Sequence, residues 1–250
     1  MRIARFFYRK AIKWGIVENR DIRLLPADPY KKIQAGFKKI RLNQAKLLPP
    51  AIPTKIILVG LNYKSHAKEL GMKIPKQPVI FLKPPSSVLA PRGKIIYPPG
   101  VKRLDYEAEL AIVIKKQTRN ISPAAVKKCI LGYTCLNDVT ARDLQKIDVQ
   151  WIRAKSFDTF CPLGPWIETE INPSNLRIKT YLNGEIKQNS STAGFIFKID
   201  YLVSFISKIM TLYPGDIIST GTPPGVGPMK INDIVEIEIE SIGRLKNRVG

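Results

Sequence analysis

A single stretch, Asp105-Tyr-Glu-Ala-Glu-Leu-Ala-Ile-Val-Ile114, constrains the fold of this chain more than any other. It reads as a strand, and in a strand successive side chains point to opposite faces. Tyr106, Ala108, Leu110, Ile112 and Ile114 then share one face, while Glu107, Glu109, Ala111 and Val113 share the other. A strand apolar on both faces belongs inside a sheet, so Glu107 and Glu109 sit side by side and partly buried. Like charges removed from water are costly unless positive charge meets them. A divalent cation with oxygen ligands meets that need, and so does a set of cationic side chains. The local residues leave both open. Glu236, Glu238 and Glu240 form a contrast: their opposite face is uniformly Val235, Ile237 and Ile239, the pattern of a half-exposed strand with a solvated acidic face.

The remaining composition narrows the class. At 250 residues and 44% hydrophobic, the chain can bury a substantial core as one main domain with a small appendage. No apolar run approaches the roughly 20 residues of a membrane span. Cys129, Cys135 and Cys161 show no Cys-x-x-Cys spacing and, being odd in number, cannot all pair internally; they read as packing residues in a reducing, cytoplasmic setting. An excess of 41 Lys and Arg over 20 Asp and Glu raises nucleic-acid binding as a remote alternative. The cations are scattered singly and in pairs, however, and no zinc-finger, helix-turn-helix or aromatic RNA-binding pattern accompanies them. Such charge also attracts a small anionic substrate.

Along the chain, the first seventeen residues carry Arg2, Arg5, Arg9, Lys10 and Lys13 without an acid, a composition shared with transit peptides. Alternation at Ile12, Trp14 and Ile16, a polar turn over 18–21, and renewed alternation at Ile22 and Leu24 predict a hairpin instead. Residues 1–52 are expected to form a small β-rich unit ending in a proline-rich connector, with 53–250 as the main domain. Strands are expected over 55–60 and 79–83. Between them His66, the only histidine, and Glu69 share one face of a short helix, either as a surface pair or as a carboxylate orienting an imidazole. Ser122-Pro123 predicts a helix to about residue 130 with serine as its cap. A buried strand over 132–136 and a helix over 139–147 place Asp138 at a junction, as helix cap or as a third carboxylate. Lys155 stands alone in an apolar stretch. Asn183-Gly184 marks a hairpin turn, 190–192 a polar loop, and 199–210 an amphipathic helix. The loop over 221–228 is glycine-rich but lacks the lysine and serine of a phosphate-binding loop. Many short strands and few helices indicate a β-rich α+β domain.

Taken in order, Asn62-Tyr63-x-x-His66-x-x-Glu69, Glu107-x-Glu109, Asn137-Asp138-Val-Thr-Ala-Arg-Asp143, Lys155-Ser-Phe-Asp158 and Gly221-Thr-Pro-x-Gly225-Val-Gly227 resemble the fumarylacetoacetate hydrolase family over about residues 53–245. The resemblance implies a mixed β-sandwich roll of the fumarylacetoacetase catalytic-domain type, usually a homodimer. It favours the metal reading, with Glu107, Glu109 and Asp138 as an acidic triad for Mg²⁺, or for Mn²⁺ or Ca²⁺. Such a site leaves positions that a 2-oxo acid can chelate, and a polarised ketone tolerates an adjacent carbanion as its enolate. Carried over by motif, Lys155 stabilises that enolate, and His66 with Glu69 activates water. Arg142, Gln145 and Thr222 hold the acid end of the substrate. The implied reaction is hydrolytic C–C cleavage of an acylpyruvate-type substrate. Decarboxylation or isomerisation (tautomerisation) of oxaloacetate-like or 2-hydroxyhepta-2,4-diene-1,7-dioate-like diacids is the alternative. The stretch before Pro53 is much shorter than the N-terminal domain of full-length fumarylacetoacetase, a departure at odds with specificity for its large aromatic catabolites.

Overall fold

A computed structural model describes all 250 residues. The stretch 105–114 is extended throughout, but it is two strands. Leu104–Tyr106 pairs with Thr140–Ala141 and Gly227–Met229 in a small sheet. Ala108–Ile114 lies within the large sheet, between Ile130–Asn137 and Ile217–Ser219. The chain changes sheets at Glu107, whose N–H donates to Asn137 Oδ1 at 2.9 Å.

Across the large sheet the strands run Lys39–Arg41, Asp21–Leu25, Ala11–Glu18, Arg2–Tyr8, Cys161–Glu168, Ile130–Asn137, Ala108–Ile114, Ile217–Ser219, Ile56–Gly60 and Val79–Lys83. Neighbours are antiparallel except Ile217–Ser219 and Ile56–Gly60, which are parallel. A second sheet, Glu185–Ser191, Arg177–Leu182, Ile234–Ile239, Gly243–Val249 and Lys94–Ile95, supplies the other wall of the main core. There Leu110, Ile112 and Ile114 join Ile178, Ile237, Ile239 and Leu245, with Ile199, Val203 and Ile206 of the helix Ile199–Ile209. Behind the large sheet, Ala111 and Val113 meet Ile56, Leu58, Leu131 and Ile167. The central strand is therefore dry on both faces, and any polar group on it needs a partner.

The N-terminal hairpin turns at Asn19-Arg20, with Val17 opposite Ile22 and Glu18 opposite Asp21. The basic opening segment is itself the strand Arg2–Tyr8, which joins the main sheet through Arg2 opposite Glu168 and Ile3 opposite Ile167. Outside the site, Glu236 and Glu238 face outward onto Arg244 while Val235, Ile237 and Ile239 are buried. All three cysteines are free and buried, and burial pushes the thiols of Cys135 and Cys161 up. No helix is long and apolar enough to cross a membrane.

Three local expectations are corrected. Pro123–Cys129 is a 3₁₀ helix and Ser122 makes no side-chain cap; its buried residues Val126 and Cys129 lie three apart, the 3₁₀ repeat. The helix expected over 139–147 starts only at Arg142, because Thr140–Ala141 is drawn into pairing with Leu104 and Asp105. Asp138 therefore caps no helix. Ser190 and Ser191 close the strand Glu185–Ser191 rather than a loop, held opposite Ile178 and Arg177.

Candidate active site

Strand pairing builds the acidic cluster. Ala108 lies opposite Asn137 and Glu109 opposite Leu136, so Asp138, the next residue, arrives beside Glu107 and its N–H donates to Glu107 O at 2.9 Å. One carboxylate oxygen from each of Glu107, Glu109 and Asp138 falls within 4.8 Å of the others, and all three residues are buried. The two alternatives for Asp138 separate here: it joins the carboxylates.

Cationic side chains reach the same cluster. Lys155, only 2% exposed, donates to Asp138 Oδ2 at 2.5 Å and Glu107 Oε2 at 3.1 Å. Arg142 donates to Glu107 Oε1 at 2.5 Å, to Asp105 Oδ2 at 2.9 Å and to Gln145 Oε1 at 2.5 Å. Arg142 and Gln145 thus stand at the rim of the triad, with Gln145 turned to the guanidinium. Burial alone would raise the Glu107 carboxyl; Lys155 and Arg142 outweigh it and hold the group well below the usual range. Burial would lower Lys155, but Asp138 and Glu107 prevail and it stays charged.

Sequence reasoning missed Lys83. It ends the strand Val79–Lys83 with its ammonium fully buried, donating to Val139 O at 2.9 Å and Phe160 O at 2.7 Å, and lies 2.8 Å from Asp138 Oδ1. Burial lowers its pKa and Asp138 only partly compensates. The signal was the one that marked Lys155: a single charge closing an apolar run.

Glu109 differs from its two neighbours. No lysine or arginine reaches it; Ser219 Oγ and Gly221 N (2.9 Å) donate to its Oε2. Burial, then Asp138 and Glu107, push its carboxyl well above the usual range. A buried carboxylate without a counter-charge beside two others is what a hard divalent cation satisfies, and an all-carboxylate donor set suits Mg²⁺, Mn²⁺ or Ca²⁺.

The glycine-rich loop ties this cluster to the histidine. Gly221, at φ +89° and against Asn62 Cβ, turns the chain so that its N–H meets Glu109. Further on, Gly225 N donates to Glu69 Oε1 at 3.0 Å, and Glu69 Oε2 sits 2.7 Å from His66 Nδ1. His66 and Glu69 belong to the helix Lys64–Glu69, with His66 buried. Thr222 is 5% exposed, and its Oγ1 accepts from Gln188 Nε2 at 2.9 Å. Ser219 and Gln188 carried no recognisable motif in the sequence.

A family model described as Fumarylacetoacetate (FAA) hydrolase C-terminal matches residues 55–250, and one described as Rv2993c-like, N-terminal matches residues 1–50. The chain is 61% identical over 224 residues to an uncharacterized protein of Methanocaldococcus jannaschii, covering 89% of this chain and 94% of the relative. It is 44% identical over 231 residues to the mitochondrial oxaloacetate tautomerase of Rattus norvegicus, covering 88% and 74%. A 5-carboxymethyl-2-hydroxymuconate delta-isomerase from Mycobacterium smegmatis superposes with TM-score 0.94 at 40% identity, covering 100% of this chain and 99% of that one. A maleylpyruvate hydrolase from Sphingobium sp. SYK-6, in complex with manganese(II) and pyruvate, superposes with TM-score 0.83 at 31% identity, covering 100% and 98%.

Proposed function

The chain belongs to the fumarylacetoacetate hydrolase family, with that family's β-rich α+β fold, and from this premise we propose a divalent-metal-dependent enzyme that tautomerises an oxaloacetate-like 2-oxo diacid. The observation that carries the proposal is the buried triad in which Glu109 alone lacks a cationic side chain, with Lys155 lying against the other two carboxylates. When held by Glu107, Glu109 and Asp138, the cation supplies Lewis-acid polarisation of the 2-oxo group.

The protein's own residues do the rest. Lys155 stabilises negative charge developing on the oxo oxygen from a water-poor position, where such charge counts most. Arg142, Gln145 and Thr222 bind and orient the carboxylate. Glu69 accepts from Nδ1 of His66, so in the neutral imidazole the lone pair is on Nε2, the nitrogen left for the substrate. That nitrogen takes a proton from the carbon next to the ketone, leaving the electron pair on the oxo oxygen as an enolate, and delivers a proton to that oxygen to give the enol. The reverse transfer, from oxygen back to carbon, gives the ketone, and neither direction activates water. Identity supports this order of readings: the tautomerase and isomerase relatives match at 44% and 40%, the maleylpyruvate hydrolase at 31%.

Acylpyruvate hydrolysis, the reaction expected from the sequence, is the second reading, because the same His66–Glu69 pair can instead activate water against a distal carbonyl. Both are tested by following enol-oxaloacetate and an acylpyruvate with Mg²⁺, with EDTA, and with His66→Ala. The expected result is Mg²⁺-dependent ketonisation, lost in EDTA and reduced about 100-fold or more in folded His66→Ala. Cleavage of the acylpyruvate without ketonisation puts hydrolysis first. Wild-type turnover in His66→Ala removes the histidine assignment.

A further inference from the structure

Gln188 lies in the strand Glu185–Ser191, outside every motif read from the sequence, and is only 1% exposed. Its amide joins two halves of the site. Oε1 accepts from Ala108 N, between the two glutamates of the triad, at 3.0 Å and from Thr180 Oγ1 at 2.6 Å. A backbone N–H can only donate, so Ala108 fixes which end of the amide is oxygen. The nitrogen end faces the glycine-rich loop, and its two protons go to Thr222 Oγ1 at 2.9 Å and Pro223 O at 2.8 Å.

Thr222 is therefore an acceptor toward Gln188, and its own hydroxyl proton points elsewhere. Within the protein its acceptor is Pro223 O, 3.5 Å away and already engaged by Gln188. That is a poor hydrogen bond. A buried hydroxyl whose proton has no good protein acceptor, one residue from the loop N–H that holds Glu109, offers a donor to whatever occupies the triad.

We propose that Gln188 is a positioning residue that locks Thr222 as a hydrogen-bond donor toward the ligand, selecting an acceptor oxygen at that point and rejecting a donor. The inference rests on the 2-oxo-acid reading above, where the acceptor is a carboxylate oxygen of the substrate. Sites that hydrogen-bond a ligand in one polarity discriminate strongly, because a mismatched group leaves buried atoms unpaired.

The test is calorimetric binding of oxalate, which carries two adjacent oxygen-bearing carbons, to the Mg²⁺-loaded full chain, with Mg²⁺ titrated separately. Thr222→Val and Gln188→Met are each expected to weaken oxalate by about tenfold or more, the scale of one hydrogen bond to a charged group. Thr222→Ser should stay close to wild type. The double variant should bind about as well as Thr222→Val alone, since both changes remove the same donor, and Mg²⁺ affinity should hold throughout. Multiplied losses in the double variant, or unchanged oxalate affinity in Thr222→Val, overturn the role of Gln188. If Gln188→Met does not fold, the preference for oxalate over oxamate decides: it should fall in Thr222→Val, and an unchanged preference overturns the proposal. Wild-type protein that binds no oxalate with Mg²⁺ overturns the 2-oxo-acid reading itself.

Discussion

Replacing Lys83 by Met keeps the length of the side chain and removes one buried charge. In the folded protein that charge faces Asp138 Oδ1 at 2.8 Å and donates to two carbonyls, Val139 O and Phe160 O, so all three oxygens lose a partner at once. Breaking a buried ion pair from one side costs about 3–5 kcal/mol. At roughly 2–4 °C per kcal/mol for a chain of this size, the melting temperature in EDTA should drop by about 6–20 °C. The lost positive charge also leaves the triad more negative, so added Mg²⁺ should raise the melting temperature of Lys83→Met more than that of wild type. Calorimetric melts in EDTA and in Mg²⁺ measure both effects. A variant that melts within about 2 °C of wild type in EDTA, or gains no more from Mg²⁺, refutes the reasoning, because a charge so placed would then be stabilising nothing.

Glu109→Gln tests the unpaired carboxyl. Folded, metal-free protein keeps a proton on Glu109 that the unfolded chain releases, so apo stability should fall as pH rises from the ordinary carboxylate range through the raised folded pKa. Over the same window Mg²⁺ affinity should rise, because the ion displaces that proton; melts in EDTA across pH should lose this component of the slope in the variant, and Mg²⁺ stabilisation should be lost with it. Gly225→Ala puts a Cβ 2.5 Å from Lys187 O at φ +93°, a strain of about 1–3 kcal/mol; turnover should fall through the Glu69 contact while Mg²⁺ titrates normally, and wild-type turnover contradicts that coupling. Glu238→Gln, on the solvated face, should cost at most about 1 kcal/mol and leave the Mg²⁺ titration unaltered.

The parts of the site that the sequence made legible are those carried on regular elements. Alternation over 105–114 put Glu107 and Glu109 on one face, and spacing on a short helix joined His66 to Glu69, because both periods are local properties of the backbone. Asp138 was ambiguous for the opposite reason. Whether it caps a helix or faces Glu107 depends on Thr140–Ala141 pairing with residues far earlier in the chain, which no local window contains. Lys83 and Gln188 were missed because their partners lie far along the chain: Lys83 meets residues 56 and 77 positions away, and Gln188 meets one 80 positions away. A glutamine in a polar strand looks like a surface residue until the sheets close over it, and a lysine closing an apolar run signals burial without saying which residues it will meet.

Charge at the site links the fold to the kind of molecule proposed for it. Glu107 and Asp138 are met by Lys155, Lys83 and Arg142, and the guanidinium is shared with Asp105, which also has Arg103. Side chains alone thus come close to cancelling around the triad, with Glu109 as the acid that no cationic side chain reaches. A divalent ion held there would supply more positive charge than Glu109 removes, so the loaded site would carry an excess that an uncharged ketone cannot use and an oxo acid can. In the proposed reaction the carboxylate of a 2-oxo acid would meet that excess, and the negative charge developing on the oxo oxygen in the transition state would meet Lys155. Under that proposal Lys155 engages the developing oxyanion rather than the ground-state carboxylate, so part of the site's stabilisation is reserved for the transition state, which is the condition for a site to accelerate a reaction rather than merely hold its substrate.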